Sequence, residues 1–194
     1  MNKNKNIIIA TGGTGGHIFP AVSLANYLIN NGFIVKLTTD QRGIKYFDSK
    51  FIKFSKIINS STFSNNKKLF SVIKILIAIF SSFIFVLKIK PKFILGMGGY
   101  ASFPLCFVAI ILRIPFIIYE NNLLIGKANR YLAPFAKKIF VSYEDVQGIK
   151  SKYKKKTVVI GNILRENILN FSETIKDKNF DYLNILVLGG CGYV

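Results

Sequence analysis

The sequence predicts an α/β domain in which helices flank a parallel β-sheet. Its 194 residues, 51% hydrophobic and 19% charged, suffice for one core and exclude a disordered chain. Short apolar runs of strand length alternate with segments of helical periodicity, which is typical of a parallel sheet with right-handed crossovers. Two of the predicted strands run directly into glycine-rich turns. Open α/β sheets bind ligands at such turns, so the pattern also predicts a binding site.

The first elements form a βαβ unit. Residues 6–10 are predicted to be a buried strand, residues 12–16 a glycine turn and residues 33–39 the next strand. Between them, residues 21–31 carry apolar side chains at helical spacing, and Pro20 lies near the expected helix start.

The remaining elements continue the alternation. We expect strands at 93–95, 115–119, 139–141 and 158–160, a helix at 105–112 and a solvated basic loop at 150–156. Residues 171–181 are polar like a linker, and residues 185–188 resemble the start of another strand. The sequence therefore predicts one domain over residues 1–170, then a linker and the first strand of a second, missing domain over residues 171–194.

Residues that bind metals or form disulfides are scarce. Two cysteines and one histidine, His17, provide neither a disulfide framework nor the ligands of a zinc or multi-histidine site, so we expect no metal. Residues 1–5 are polar, and the apolar run 7–10 is too short for a signal peptide. A reducing cytoplasm is therefore the expected compartment.

The formal charge of +18 is unevenly distributed. Codon bias is one explanation of the total, because Lys, Asn, Ile and Phe are all abundant. It explains the distribution less well, because no acidic residue lies between Asp48 and Glu120. The basic residues of this stretch are Lys50, Lys53, Lys56, Lys67, Lys68, Lys74, Lys88, Lys90, Lys92 and Arg113. The stretch is also the most apolar of the chain, which favours an anionic membrane over nucleic acid as its partner.

Residues 69–87 are almost continuously apolar and nearly long enough to span a bilayer. Lys74 interrupts the run, and the strand at 93–95 follows shortly afterwards. We therefore expect a buried crossover helix with one face at the lipid interface, rather than a membrane span.

The first glycine turn is the sharpest functional signal. Four of the five residues 12–16 are glycines, placed between a strand and a helix. Glycines let the backbone approach a ligand and a helix N-terminus attracts negative charge, so the turn predicts a phosphate or diphosphate site. Its spacing fits neither the dinucleotide motif, because Ile18 occupies the third glycine position, nor a Walker A loop. A tight turn without a ligand is the alternative.

The second turn, residues 96–104, repeats this arrangement with Tyr100 and Ser102 inside it. Two such turns on neighbouring strands would form one wide crevice for phosphate groups. A second tight turn without a ligand is again the alternative.

Polar side chains near the predicted strand ends are the candidate functional groups. His17 suits a polar or general-base role, and Glu120 could bind sugar hydroxyls or accept a proton. Asn122 and Asn129 suit sugar or phosphate groups, and Arg165 suits a phosphate fork. The structural alternatives are a structural or surface histidine, an ion pair for Glu120, caps or turns for the asparagines, and a surface salt bridge for Arg165.

Three segments, in order, resemble the MurG family of N-acetylglucosaminyltransferases. Residues 12–21, GGTGGHIFPA, resemble the family's first glycine loop, and residues 96–104, GMGGYASFP, resemble its second. The third segment matches the family in the order and spacing of seven residues: Glu120, Asn122, Gly126, Asn129, Gly161, Asn162 and Arg165. The resemblance covers essentially the whole chain.

The resemblance implies the N-terminal, Rossmann-like half of a GT-B glycosyltransferase. This half binds undecaprenyl-diphospho-N-acetylmuramoyl-pentapeptide, the acceptor lipid I, while a C-terminal half binds most of UDP-N-acetylglucosamine. The muramoyl C4 hydroxyl attacks C1 of the donor sugar with inversion, and neither a metal nor another cofactor is required. The resemblance also implies peptidoglycan synthesis at the cytoplasmic face of the bacterial inner membrane, with residues 69–113 as the docking face.

The resemblance also implies a role for each matched residue. The donor-contacting positions are Thr14, Gly15, Gly16, Asn122 and Arg165. The positions near the acceptor and the chemistry, expected to be catalytic, are His17, Tyr100 and Glu120. The second loop suits the acceptor diphosphate through Gly98, Gly99 and Ser102, and Asn129 is a further substrate-binding position.

Three positions depart from the family pattern. Tyr119 stands where the family's His-Glu-Gln-Asn has histidine, and Ile163 stands where its Asn-Pro-x-Arg has proline. Residues 189–194, GGCGYV, follow the last predicted strand where the family has a third glycine loop, Gly-Gly-Ser-x-Gly-Ala, and Cys191 takes its serine position.

Four hypotheses follow. The favoured one is the acceptor half of a lipid-linked glycosyltransferase, with a separate donor-domain chain as possible partner. The second is a truncated, catalytically inactive fragment that at most binds lipid. The third is a nucleotide-binding oxidoreductase, which the glycine spacing disfavours. The fourth is a non-enzymatic module that binds membrane surfaces.

Overall fold

A computed structural model of the chain describes residues 5–47, 55–58, 68–165 and 168. Within these ranges, seven parallel strands form one sheet: β1 (Asn6–Ala10), β2 (Ile34–Thr39), β3 (Ser55–Ile57), β4 (Phe93–Gly96), β5 (Phe116–Glu120), β6 (Lys138–Val141) and β7 (Thr157–Val159). The α-helices are α1 (Gly15–Asn30), α2 (Lys68–Ile89), α3 (Phe103–Ile111) and α4 (Lys127–Leu132), and short 3₁₀ helices cover Ile44–Tyr46 and Ser151–Lys156.

The strand order is β3-β2-β1-β4-β5-β6-β7, and every neighbouring pair is parallel. The order reverses between β1 and β4, which therefore form the topological switch point of the sheet. Both strands lead into the predicted glycine turns. The predicted parallel sheet with flanking helices is confirmed.

The two faces of the sheet carry separate cores. Alternate side chains of a strand point to opposite faces, so Ile8 packs towards α2, α3 and α4. Ile7 and Ile9 pack instead with Ile18 and Ala21 of α1. Because both faces are covered, these strands are continuously apolar rather than alternating.

Helix α1 begins six residues before its predicted start, and Pro20 lies inside it. Proline has no N–H to donate to the carbonyl four residues earlier, which is that of Gly16. The Asn121 side-chain Nδ2 donates to this Gly16 oxygen instead, at 2.8 Å. A contact from a distant part of the chain thus satisfies the carbonyl that the proline leaves unpaired.

Helix α2 crosses over between β3 and β4 as expected, but the prediction that it is buried is wrong. Only 17% of the window from Ser71 to Ile89, which has a mean hydropathy of 2.4, is buried. The inward side of the helix presents Ala78 and Val86 to the core, whereas Phe80 on the outer side is 67% exposed. Among the described residues, α2 alone is long and apolar enough to cross a membrane.

Other differences are local. The predicted basic loop at 150–156 contains a 3₁₀ helix, and the sequence signals missed β3 and α4, which are short. The predicted linker at 171–181 and strand at 185–188 lie outside the described residues, so the domain boundary at residue 170 stays a prediction.

The packing of β4 against α3 can be tested at Gly96. A Cβ at this position would lie 2.7 Å from Sγ of Cys106, which is fully buried. We expect Gly96→Ala to lower the free energy of unfolding by about 1–3 kcal/mol through overpacking. Cys106→Ala in the same chain should restore most of that loss, because the new methyl group occupies the space left by sulfur. Denaturant unfolding of both single variants and the double variant measures the coupling, and strictly additive losses would contradict this packing.

Candidate functional site

A cavity of about 340 Å³ opens at the carboxyl ends of β1, β4 and β5, beside the switch point. Both glycine turns, the end of β5 and the start of α4 line it. Its volume lies within the range of roughly 300–1,000 Å³ that is usual for small-molecule sites. The cavity is therefore the candidate functional site.

The two glycine turns touch each other at Gly12 and Gly99. A Cβ on Gly99 would lie 2.7 Å from the Gly12 Cα, and a Cβ on Gly12 would lie 3.1 Å from the Gly99 Cα. Gly98 and Gly99 also have φ values of +83° and +77°, a conformation that other residues rarely adopt. The absence of side chains thus lets two backbone turns form one wall of the cavity.

His17 lies against both turns. A Cβ on Gly12 would lie 3.2 Å from its Cδ2, and a Cβ on Gly98 would lie 3.0 Å from its Cε1. Burial lowers the pKa of His17 below 6.5, although attraction to Glu120 and to the Met97 carbonyl partly offsets the effect. The buried Nδ1 has no hydrogen-bond partner among the described residues. The ring is therefore a neutral imidazole at neutral pH, the form that can accept a proton.

The N-terminus of α1 points its free amides at the same edge of the sheet. Thr14 is the N-cap residue, and its exposed side chain makes no capping hydrogen bond. Its carbonyl accepts the N–H groups of His17 and Ile18, both at 3.0 Å. Gly15 and Gly16 occupy the first turn, where N–H groups lack an intrahelical acceptor. These amides can bind an anion.

Glu120 is buried and organises the loop that follows β5. Its Oε1 accepts the backbone N–H and the side-chain Nδ2 of Asn122, at 3.1 and 2.8 Å. Its Oε2 accepts the N–H of Gly126 at 2.8 Å and Nδ2 of Asn129 at 3.0 Å. These four donors occupy all four acceptor positions of the carboxylate. The arrangement therefore favours a role of Glu120 in fixing the loop over a role as the base that accepts a substrate proton.

The two asparagines of this loop have different surroundings. Asn129 is buried, and its Nδ2 also donates to the Tyr119 carbonyl at 3.0 Å. Its Oδ1 therefore points away from Tyr119 and Glu120. That Oδ1 is buried without a hydrogen-bond partner among the described residues, and Asn129 lines the cavity. Asn122 is exposed at the cavity rim.

The structure brings most, but not all, of the predicted site residues to the cavity wall. Those that line it are Thr14, His17, Gly99, Tyr100, Glu120, Asn122 and Asn129. Those that do not are Gly15, Gly16, Gly98, Ser102 and Arg165. Ser102 is fully buried, and its hydroxyl donates to the Gly99 carbonyl at 2.9 Å, so it closes the second turn rather than facing the cavity. Arg165 stacks on Phe19 of α1, with Cζ 3.3 Å from the ring centroid.

Two cationic residues of the cavity wall, Arg42 and Lys127, were missed. Arg42 is held by Asp40, with Nη2 2.7 Å from Oδ2, and the Asp40 carboxylate fills the space where a side chain on Gly13 would lie. Arg42 carries no motif signal, because its loop follows a different strand. Lys127 directly follows Gly126, which belongs to the third matched segment. Its place in that segment could have identified it as a residue of the cavity wall.

Comparisons with known proteins agree on one family. Residues 7–141 match the family described as the glycosyltransferase family 28 N-terminal domain. A UDP-N-acetylglucosamine–N-acetylmuramyl-(pentapeptide) pyrophosphoryl-undecaprenol N-acetylglucosamine transferase of Rickettsia felis is 40% identical over 192 residues, which cover 96% of this chain and 53% of the relative. The protein of the same name from Rickettsia prowazekii is 44% identical over 165 residues, covering 84% and 42%. The chain thus spans about half the length of the curated relatives it matches.

Solved structures share the fold of this chain. The crystal structure of Acinetobacter baumannii MurG matches with a TM-score of 0.68 at 25% identity, covering 89% of this chain and 50% of that one. A UDP-GlcNAc 2-epimerase of Neisseria meningitidis, bound to UDP-GlcNAc, matches with a TM-score of 0.59 at 19% identity, a likeness of fold alone, covering 88% and 50%. The predicted resemblance to the MurG family and the predicted GT-B-type fold are confirmed.

The protonation of His17 can be measured directly, because the sequence contains no other histidine. Since burial lowers its pKa, we expect the imidazole resonances to titrate with a midpoint below 6.5. The stability that neutral His17 provides should be fully present above pH 6.5 and should be lost as the pH falls through the lowered folded-state pKa. Thermal unfolding between pH 8 and 5 should therefore show an acid-side loss that His17→Gln lacks. A midpoint at or above 6.5 would show that the ring is not desolvated as described.

Proposed function

The chain belongs to the glycosyltransferase family 28 N-terminal domain family, and on this basis we propose that it is the acceptor-binding half of an inverting N-acetylglucosaminyltransferase. The proposed reaction transfers N-acetylglucosamine from UDP-N-acetylglucosamine to the C4 hydroxyl of lipid I, giving lipid II for peptidoglycan synthesis. The observation that carries the proposal is the contact between the two glycine turns around His17 at the sheet's switch point. The names of the relatives from Rickettsia supply the substrates.

The cavity suits the diphosphate of a lipid-linked acceptor. The backbone of both turns approaches it without intervening side chains, Lys127 adds a positive charge to its wall, and Arg42, which is paired with Asp40, adds a guanidinium group. Backbone amides and cations together are the usual ligands of phosphate groups. We assign Gly98, Gly99 and Ser102 to shaping this part of the site, with Ser102 acting through its hydrogen bond to Gly99.

The proposed chemistry centres on His17. Its neutral imidazole takes the proton of the C4 hydroxyl as the hydroxyl oxygen bonds to C1 of the donor sugar, and the bond from C1 to the UDP oxygen breaks with inversion. Glu120 holds the loop that carries Asn122 and Asn129 towards the substrate. Tyr100, half-buried at the wall, contacts the acceptor.

The donor approaches from the side of α1. Thr14, Gly15 and Gly16 present the first turn of the helix to it, and Arg165 adds a cation beside that turn. We propose residues 1–170 as the acceptor domain. A donor-binding half, in the same polypeptide or in a separate chain, completes the enzyme.

The outer side of α2 is the proposed membrane-docking face. Its exposed apolar residues include Leu76, Ile77, Phe80, Ile84 and Leu87. At its border, Lys56 donates to the Ser81 carbonyl at 3.3 Å, and burial together with repulsion from Lys88 lowers the pKa of Lys56. Exposed apolar surface bordered by basic residues favours a peripheral position on an anionic membrane, here the cytoplasmic face of the inner membrane.

The acceptor proposal is tested by the binding of a water-soluble lipid I analogue with a short prenyl chain. Calorimetry should show binding that inorganic pyrophosphate competes away. In Gly99→Ala the new Cβ would lie 2.7 Å from the Gly12 Cα and separate the turns, so we expect affinity to fall about tenfold or more, which is about 1.4 kcal/mol.

Gly32→Ala is the matched control for this experiment. Gly32 has a similar φ of +78°, but the nearest atom to its Cβ would be Lys5 Nζ at 3.5 Å, at the far end of α1. It therefore shares the backbone strain without disturbing the cavity, and its affinity should match the wild type. Equal affinity in Gly99→Ala, or no binding of the analogue to the wild type, would refute the proposed acceptor site.

Membrane docking is tested by sedimentation with phosphatidylglycerol vesicles. Phe80→Glu should lower the partition coefficient by a factor of about ten or more, because burying a phenylalanine in lipid contributes about 1.5–3 kcal/mol. Tyr27→Glu changes a residue of nearly equal exposure on α1, 66% against 67%, and should leave binding unchanged. Added salt should weaken the wild-type binding. Equal effects of the two substitutions, or salt-insensitive binding, would exclude this docking face.

A further inference from the structure

We propose that the Tyr119 hydroxyl is a positioning group, which fixes the segment 161–165 across the carboxyl edge of the sheet and thereby seats Arg165 on α1. Tyr119 lies near the end of β5 and is almost completely buried. The proposed function assigns no role to it. That Arg165 then helps to bind the donor rests on the proposed function, whereas the hydrogen bonds of Tyr119 and the position of Arg165 do not depend on it.

The Tyr119 hydroxyl joins three parts of the chain. Its oxygen lies 2.7 Å from Oγ of Ser142, which follows β6. It donates to the Gly161 carbonyl at 3.2 Å and accepts the Ile163 N–H at 3.4 Å. Both of the latter contacts are with the segment that follows β7.

These contacts use the full hydrogen-bonding capacity of a phenol. A tyrosine hydroxyl has one proton and can accept through two lone pairs. Because its proton goes to Gly161, Ser142 must be the donor in their shared bond, and Ile163 supplies the second donor. Phenylalanine would leave the part-buried Gly161 carbonyl and two donors, the Ser142 hydroxyl and the Ile163 N–H, without this partner.

The segment held by Tyr119 turns sharply after β7. Gly161 has a φ of +77°, and a Cβ there would meet nothing within 4 Å. A glycine at this position is therefore favoured by the backbone conformation of the turn and not by a lack of space for a side chain. Asn162 Nδ2 lies 3.3 Å from the Tyr143 hydroxyl, and Ile163 packs against the core on the α1 side of the sheet. The turn therefore directs the chain over the sheet edge towards α1.

Arg165 is the last residue of this segment and lies against α1. Its guanidinium lies 3.3 Å from the centroid of the Phe19 ring. A Cβ on Gly15 would lie 3.0 Å from Cε2 of the same ring, so Phe19 borders the first glycine turn. Fixing the segment thus places a cation beside the free amides of α1, where it adds to the attraction for an anionic ligand.

The test uses the ring-current shift that Phe19 imposes on the Arg165 side chain, measured by NMR on the labelled full chain without ligand. Phe19→Leu should abolish this shift and so identify its source. Tyr119→Phe should also abolish it, with the amide shifts of β1 retained. Ser142→Ala is the matched control, because it removes one partner of the hydroxyl but leaves both bonds to the segment, and it should retain most of the shift.

A folded Tyr119→Phe variant that keeps the Arg165 shift would overturn the proposal, even if the variant is less stable. Should that variant fail to fold, hydrogen exchange of the Ile163 amide in the wild type decides. Protection supports the bond to Tyr119, and exchange at the rate of an open amide overturns it. Because no ligand is used, this outcome is independent of whether the acceptor analogue binds.

Discussion

The close approach of Gly12 and Gly99 is the constraint on which the candidate site depends. Two turns that follow neighbouring strands can touch only because neither carries a side chain at the point of contact. Their contact leaves His17 packed against both and desolvated, which keeps its imidazole neutral. It also places the N-terminus of α1 and the second turn on one cavity. The burial and the charge state of His17 therefore follow from one backbone contact, which also joins the two turns in one cavity wall.

A second level of organisation comes from hydrogen bonds that cross the carboxyl edge of the sheet. Glu120 accepts hydrogen bonds from the loop after β5, and Asn121 donates one to the carbonyl that Pro20 leaves unpaired. Tyr119 donates one to the segment after β7. Three consecutive residues at the end of one strand thus fix three neighbouring segments. On the proposed function, this edge faces the substrates while the outer side of α2 faces the membrane.

Local signals predicted six of the seven described strands, the two glycine turns and most of the cavity wall, because each depends on a few consecutive residues. The start of α1 was not predictable, since the contact that permits Pro20 inside the helix comes from Asn121, 105 residues away. One face of α2 was expected at a lipid interface, but the extent of its exposure was missed, because an apolar sequence run has the same pattern in a core helix and in a surface helix. The presence of Arg42 in the wall depends on tertiary packing that no local pattern encodes, whereas the Ser102 hydroxyl makes a local bond, to the carbonyl three residues earlier.

The most direct test of the account is an NMR titration of the labelled chain with inorganic pyrophosphate. If the two glycine turns form one anion site, the amide resonances of residues 12–16 and of residues 98–101 should shift together, with a single dissociation constant, and the His17 ring should respond with the same midpoint. Shifts confined to one turn, or two turns that titrate with different affinities, would contradict the claim that they form a single site.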